Sequence, residues 1–235
     1  LYDNIAETMQ ARGMKAYIES HETCRTILAD GMDIKRKADF PMGAMWASLP
    51  VMGLDFNKDV GKQSDCKETS SVAHLYGHQV ASAESMTCGG KDGDVLAYSL
   101  TPAQLKAVAD LEMACGINRF VIHNSTHQPV DDKIPGQGLE IYGIWFHRHE
   151  AWAEQARPWV DYLSRSSYLL PQGQYVADVA YYYGEDANVT GLFHYKQPDV
   201  PPTVAFDYVN SHALTTRLSA DKGKAVTPNG MQYRI

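Results

Sequence analysis

Three polar side chains of catalytic type stand at similar places along the chain. Glu19, Glu84 and His123 each follow a short, mostly apolar run. A glycine and a predicted helix precede each run, and the helices cover residues 1–12, 64–76 and 101–115. Strands that alternate with helices indicate a parallel sheet, because parallel neighbours need a long crossover connection. Ligands bind such sheets outside the carboxyl ends of the strands, so we expect the three side chains to converge.

Two glutamates at one edge of a sheet suit acid and base catalysis. A half-desolvated carboxyl group has a pKa that its surroundings tune for this work. Such a pair supports hydrolysis of a glycosidic bond, or one member serves the chemistry while the other binds a metal ion or a sugar. The alternative for Glu84 is structural, as a cap for the next helix or a partner of an arginine. Glu19 is equally open to a structural role.

Four further residues are candidate contacts to a sugar: His123, Asn124, His127 and Trp46. Imidazole and amide groups in a row bind several hydroxyl groups of a polyol. The alternatives are ordinary polar loop residues for the first three, and for Trp46 packing at the mouth of the site instead of stacking on a sugar. Two histidines this close also suit a metal ion, but no third ligand at a useful spacing accompanies them.

The composition argues against several classes of protein. The 235 residues carry a formal charge of −7, from 28 acidic and 21 basic side chains, which argues against a nucleic-acid-binding face. No apolar run approaches the roughly 18 residues that cross a bilayer, and the first residues lack a signal-peptide pattern. The chain contains no P-loop, GxGxxG or serine-elbow motif, so we expect no nucleotide cofactor. Its four cysteines lack zinc-type spacing.

The remaining sequence predicts further elements of an α/β fold. Thr101 begins a capping box at the start of its helix. Residues 30–63 are predicted to form a long ordered loop, and residues 148–170 a helix bent near Pro158. A continuous β-prone run at 175–183 predicts a central strand.

Both ends of the sequence fall inside predicted elements. Leu1 lies within an amphipathic helix, and residues 233–235 begin a strand after a turn. We therefore expect a piece of a larger protein, with part of the active site on flanking sequence.

Several motifs in a fixed order resemble the bacterial α-L-rhamnosidases of glycoside hydrolase family 106. The similar segments are residues 39–46, 73–77, 83–87, 116–123, 127–129, 176–179 and 183–185. The similarity runs nearly from end to end, and a series of motifs is far more specific than any single one.

The resemblance implies a very large multidomain enzyme with a (β/α)8 catalytic barrel. Residues 1–170 would form the second half of the barrel, and residues 171–235 the start of a following α/β domain of the flavodoxin or amidotransferase type. The family implies a carbohydrate partner, inverting hydrolysis of terminal α-L-rhamnosyl linkages in plant or microbial polysaccharides and glycosides, and a calcium ion that binds the sugar. We expect the full-length protein to be periplasmic or secreted. Half a barrel alone, with unpaired edge strands, is expected to be inactive.

The resemblance also implies roles for individual residues. Glu84 matches the glutamate that we assign as the general base, and the acid is expected upstream of Leu1. Glu19 matches a rim glutamate that contacts the sugar or the calcium ion. Ala44 stands where many members carry a glutamate, which makes the calcium site doubtful here. Two alternatives stay open: a non-catalytic sugar-binding remnant, and a retaining, galactosidase-like barrel hydrolase.

Overall fold

The computed structural model describes residues 1–20, 22, 29–47, 60–89, 98–140, 142–144, 146–185, 188–193 and 196–235. The strands are β1 (Tyr17–Glu19), β2 (Phe40–Trp46), β3 (Ser82–Thr87), β4 (Arg119–Ile122), β5 (Val179–Tyr182), β6 (Phe206–Val209), β7 (Ser219–Asp221), β8 (Lys224–Val226) and β9 (Gln232–Tyr233). The helices are α1 (Tyr2–Gln10), α2 (Gly31–Lys35), α3 (Val60–Tyr76), α4 (Pro102–Ala114), α5 (Arg157–Leu169), α6 (Val189–Leu192) and α7 (Ser211–Thr216). Within these ranges no helix is both long and apolar enough to cross a bilayer.

The first four strands form one parallel sheet in the order β1-β2-β3-β4. Strands β5 and β6 form a second parallel pair, and β7, β8 and β9 form a small antiparallel sheet. The mixed α/β class with parallel pairing is therefore confirmed. The predicted capping box is also present, because Thr101 and Gln104 bond each other reciprocally at the start of α4.

The two faces of the four-stranded sheet have different surroundings. Met45, Ala83 and Phe120 point to one face, where they pack with apolar residues of α3, α4 and α5. Alternate residues point to the opposite face. There Tyr17 is 69% exposed and Val121 is 41% exposed, so this face is open within the described part of the chain.

Helix α3 is buried along most of its length because sheets flank it on both sides. Cys66 and Ala73 belong to the core under the four-stranded sheet, whereas Val72 and Leu75 pack with Tyr208 of β6. The predicted boundary near residue 171 stays a prediction.

The predicted loop over residues 30–63 is wrong where the structure describes it, because α2 and β2 lie there. Strand β2 is not predicted from the sequence because it contains Pro41 and Gly43, and both residue types are unfavourable inside a strand. Gly43 is needed because a side chain there would come within 2.7 Å of Thr69 Oγ1 on α3. Helix packing, which the local pattern does not reveal, therefore explains the unusual strand sequence.

Three other boundaries differ from the prediction. The helix predicted from residue 148 begins at Arg157, and Pro158 lies in its first turn, where proline is tolerated, instead of bending it. The strand predicted over residues 175–183 is shorter, covering β5 alone. Glu84 lies inside β3, which continues to Thr87 after an irregularity described below.

Candidate active site

Glu19, Glu84 and His123 line one cleft on the open face of the sheet. The cleft has a volume of about 370 Å³ and is lined by Tyr17, Glu19, Met42, Glu84, Val121, Ile122 and His123. Glu84 lies beside Ala44 on β2 and Val121 on β4. The structure thus brings together the three side chains that the sequence pattern placed at one edge.

A β-bulge sets the direction of the Glu84 side chain. Met45 pairs with Ser85 and Trp46 with Thr87, so Met86 is the extra residue. Met86 has φ of 68° and is fully buried. Because the bulge skips one residue, Thr87 comes to the same face as Glu84. The Thr87 hydroxyl donates a 2.5 Å hydrogen bond to Glu84 Oε1.

The Glu19 carboxyl group is half-buried and incompletely bonded. Its Oε1 atom is buried without a hydrogen-bond partner among the described residues. Burial raises the pKa of Glu19 to about 7, and the nearby carboxylates of Glu84, Asp65 and Glu22 act in the same direction. Near neutral pH this group therefore exists in both protonated and ionised forms.

A buried charge cluster lies behind β2. Lys35 Nζ is 2.5 Å from Asp65 Oδ1 and 2.8 Å from Glu68 Oε1, and all three side chains are almost fully buried. Burial alone would lower the pKa of Lys35, but the two carboxylates raise it above its usual value. Burial raises the pKa of Glu68 to about 7.

Asp65 ties this cluster to the strand beside Glu84. Its Oδ2 atom accepts a 2.8 Å hydrogen bond from the Ala44 amide. Strand β1 ends at Glu19, opposite Met42, so the Ala44 amide has no strand partner on that side. The carboxylate of Asp65 replaces the missing strand, as buried amides require a partner.

His123 and Asn124 also carry unpartnered atoms. His123 Nδ1 and Asn124 Oδ1 are buried without partners in the described ranges. Gly143 packs against this corner with φ of 91°, and a side chain there would lie 3.2 Å from His123 Nδ1 and from the Asn124 amide. Buried polar atoms without partners are uncommon in proteins. His123 lines the cleft, so its Nδ1 atom is available to a ligand, whereas Asn124 is not among the lining residues.

Trp46 and His127 differ in their placement. Trp46 lies on the same face as Glu84, with Lys62 Nζ 4.5 Å from its ring centre and Tyr142 at 6.0 Å edge to face. Its Nε1 atom is buried without a partner in the described part of the chain. Neither Trp46 nor His127 is among the lining residues of the cleft, and His127 is exposed. Its role in sugar binding stays a prediction.

The described residues do not by themselves provide the ligands of a calcium site. Calcium takes 6–8 oxygen ligands. Glu19 offers one unpartnered oxygen, and Ala44 offers no side-chain oxygen where a ligand was expected. Within the described ranges no three His, Cys, Asp or Glu side chains are grouped to hold a metal ion. We therefore derive no step through calcium.

Sequence reasoning missed the supporting residues around the glutamates. Thr87 became a partner of Glu84 only through the bulge, which has no clear sequence signal. Asp65 and Glu68 did leave a signal, because their i,i+3 spacing puts two acids on one side of a predicted helix. Here the two acids are buried together with a cation, Lys35, which pairs with both.

Comparison with known proteins decides the family. The family described as glycoside hydrolase 106, alpha-L-rhamnosidase, matches residues 1–235. The chain belongs to this family. The structure of a rhamnosidase from Novosphingobium sp. PP1Y is similar, with a TM-score of 0.88 and 44% sequence identity over 99% of this chain. A protein of Formosa agariphila named "Putative beta-glucuronidase" is 37% identical over 172 residues, which is 72% of this chain.

The chain covers only a part of each of these relatives. It spans 21% of the Novosphingobium chain and 14% of the Formosa protein.

Proposed function

We propose that this chain is part of a glycoside hydrolase that cleaves terminal α-L-rhamnosyl linkages with inversion. The observation that carries the proposal is the convergence of Glu19 and Glu84 on one cleft in a chain of the α-L-rhamnosidase family. The buried unpartnered atoms of Glu19 and His123 supply hydrogen-bonding groups for a sugar. Polysaccharides and glycosides of plants or microbes are the proposed substrates, which favours a periplasmic or secreted protein.

In this proposal Glu84 is the general base. The hydrogen bond from the Thr87 hydroxyl to Oε1 orients the carboxylate, and the other oxygen is the one proposed to take a proton from water. Strand β2 separates β1 from β3, and Glu19 pairs with Met42 whereas Glu84 pairs with Ala44, which puts the backbones of the two glutamates about 12 Å apart. That spacing leaves room for a sugar between the two side chains. The separation of about 6.5–9.5 Å between the acid and the base of an inverting enzyme is expected between Glu84 and the acid on flanking sequence.

Glu19 is proposed to bind the sugar through its carboxyl group. With a pKa raised to about 7 by burial, it can donate a hydrogen bond at neutral pH as well as accept one. The acid that protonates the leaving oxygen is proposed to come from flanking sequence in a (β/α)8 barrel. The parallel sheet with one open face supports the half-barrel proposal.

The lining of the cleft also favours a neutral sugar over a uronate. Among the described residues, the lining of the cleft includes two glutamates and no lysine or arginine. A uronate carboxylate would be repelled by ionised Glu84, and none of these lining residues is a cation that would compensate it. We therefore prefer a rhamnoside to the glucuronide that the name of the Formosa protein suggests.

The test is hydrolysis by the full-length protein of aryl α-L-rhamnosides and aryl β-D-glucuronides, with the first-formed anomer read by proton NMR. We expect rhamnoside cleavage with β-L-rhamnose as first product, and a loss of about 10²–10⁴-fold in kcat for Glu84→Gln with folding retained. The α-anomer would indicate a retaining enzyme. Binding of rhamnose without turnover would indicate the non-catalytic remnant.

A series of leaving groups tests the role of Glu19. If Glu19 only binds the sugar, Glu19→Gln slows good and poor leaving groups by similar factors. A much larger loss for poor leaving groups would make Glu19 the acid, because only they need protonation.

A further inference from the structure

A further buried acid, Glu112 on α4, lies behind the strand that carries Glu84. The side chain is fully buried, and its Oε2 atom is 2.6 Å from Ser85 Oγ. Its Oε1 atom has no hydrogen-bond partner among the described residues. Glutamate is seldom fully buried unless it is paired, and no ion pair of Glu112 is found in the described ranges.

The surroundings favour the protonated form of Glu112. Burial raises the pKa of Glu112 well above its usual value, and only the hydrogen bond with Ser85 opposes this. Ser85 Oγ is also 2.9 Å from the Ala83 carbonyl oxygen. A serine has a single hydroxyl hydrogen, so it cannot donate to both neighbours. Both contacts of the Ser85 hydroxyl are satisfied when protonated Glu112 donates to Ser85 and Ser85 donates to the Ala83 carbonyl.

Ser85 connects this pair to the cleft. It is the residue after Glu84 and the residue before Met86, the extra residue of the bulge. Its side chain points toward α4, whereas Glu84 points to the open face. The hydrogen bonds of Ser85 therefore hold the backbone from which the Glu84 side chain projects. The Thr87 hydroxyl, on the cleft side of the strand, holds the Glu84 carboxylate itself.

We propose that Glu112 is a positioning residue that holds the Glu84 carboxylate in its reactive direction through Ser85 and the bulge. The inference rests on the proposed role of Glu84 as the base. Glu112 does not contact the cleft, so it acts on the orientation of the base and leaves the sugar contacts unchanged. Misplacing a catalytic group by a fraction of an ångström lowers the rate of the chemical step.

The experiment compares Glu112→Met, Glu112→Gln and Ser85→Ala in the full-length protein on an aryl α-L-rhamnoside. Methionine fills a similar volume but donates no hydrogen bond, whereas glutamine keeps a donor. We expect Glu112→Met and Ser85→Ala each to lower kcat by about 10–100-fold with KM within about twofold. Glu112→Gln should keep most of the kcat that Glu112→Met loses.

The double variant Glu112→Met/Ser85→Ala should be no slower than the slower single variant, because both remove the same connection. Asp110→Asn is the matched control, an acid two residues away on α4 that pairs with Lys106 on the surface, and it should leave kcat unchanged. If Glu112→Met does not fold, as judged by circular dichroism, Ser85→Ala alone and combined with Glu112→Gln decide the case.

The positioning role would be overturned by any of three results. These are losses in kcat that add in the double variant, a rise in KM in place of a fall in kcat in the single variants, and an unchanged kcat in Ser85→Ala. These results require an active wild-type enzyme. A wild-type protein that cleaves no rhamnoside would refute the proposed function itself, so the two failures are distinguishable.

Discussion

Replacing Glu19 with glutamine should stabilise the folded protein in alkaline solution and not in acid. The pKa of Glu19 is about 7 in the folded protein, because of burial and then because of Glu84, against an ordinary value of 4.5. A carboxyl group whose pKa is raised on folding costs no stability below the unfolded value. It destabilises the fold progressively as the pH rises from about 4.5 through about 7. Glutamine has the shape of the protonated form and never ionises.

The size of the effect follows from the two pKa values. Their difference corresponds to about 3.4 kcal/mol for a group that is fully shielded from solvent. Glu19 is only half-buried, so solvent screening reduces the expected gain to about 2 kcal/mol. We therefore expect Glu19→Gln to raise the free energy of unfolding by about 2 kcal/mol near pH 8.5 and by less than about 0.5 kcal/mol near pH 4.5.

The assay is guanidinium unfolding of wild type and variant at both pH values, in a buffer with a chelator so that bound cations do not contribute. Glu154→Gln, a change of an exposed glutamate, is the control and should alter stability little at either pH. A gain of the same size at both pH values, or no gain near pH 8.5, would refute the reasoning that burial and neighbouring carboxylates act on Glu19.

Three further predictions concern other contacts. Asp207→Asn should lower the free energy of unfolding by about 3–5 kcal/mol in urea, because Lys67 and His74 lose their buried carboxylate. Burial raises the pKa of Asp207, but His74 and Lys67 outweigh burial and lower it to about 2. The stability that Asp207 gives the wild type should therefore be lost as the pH falls from 3.8 through about 2. An equal loss of stability with acid in wild type and Asp207→Asn would contradict this. Thr87→Val should reduce kcat about tenfold or more with the melting temperature kept, by removing the hydrogen bond to Glu84. Gly143→Ala should lower the free energy of unfolding by about 1–3 kcal/mol, because Gly143 has a positive φ. An unchanged melting temperature would contradict the backbone conformation described for Gly143 beside His123 and Asn124.

The sequence was sufficient for the features that depend on local signals. Helix–glycine–strand units at Glu19, Glu84 and His123 follow from periodicity and caps, and parallel strands with helical connections put their carboxyl ends at one edge. That argument alone placed the three side chains in one cleft, and the motif series identified the family.

Only the tertiary structure decided how these side chains are separated and aimed. Strand β2, with Pro41 and Gly43, has a poor strand sequence, and its place between β1 and β3 depends on packing against α3. The bulge at Met86 and the burial of Glu112 depend on contacts between residues far apart in sequence. A local pattern determines which residues begin and end an element, whereas desolvation and hydrogen bonding of a side chain depend on everything packed around it.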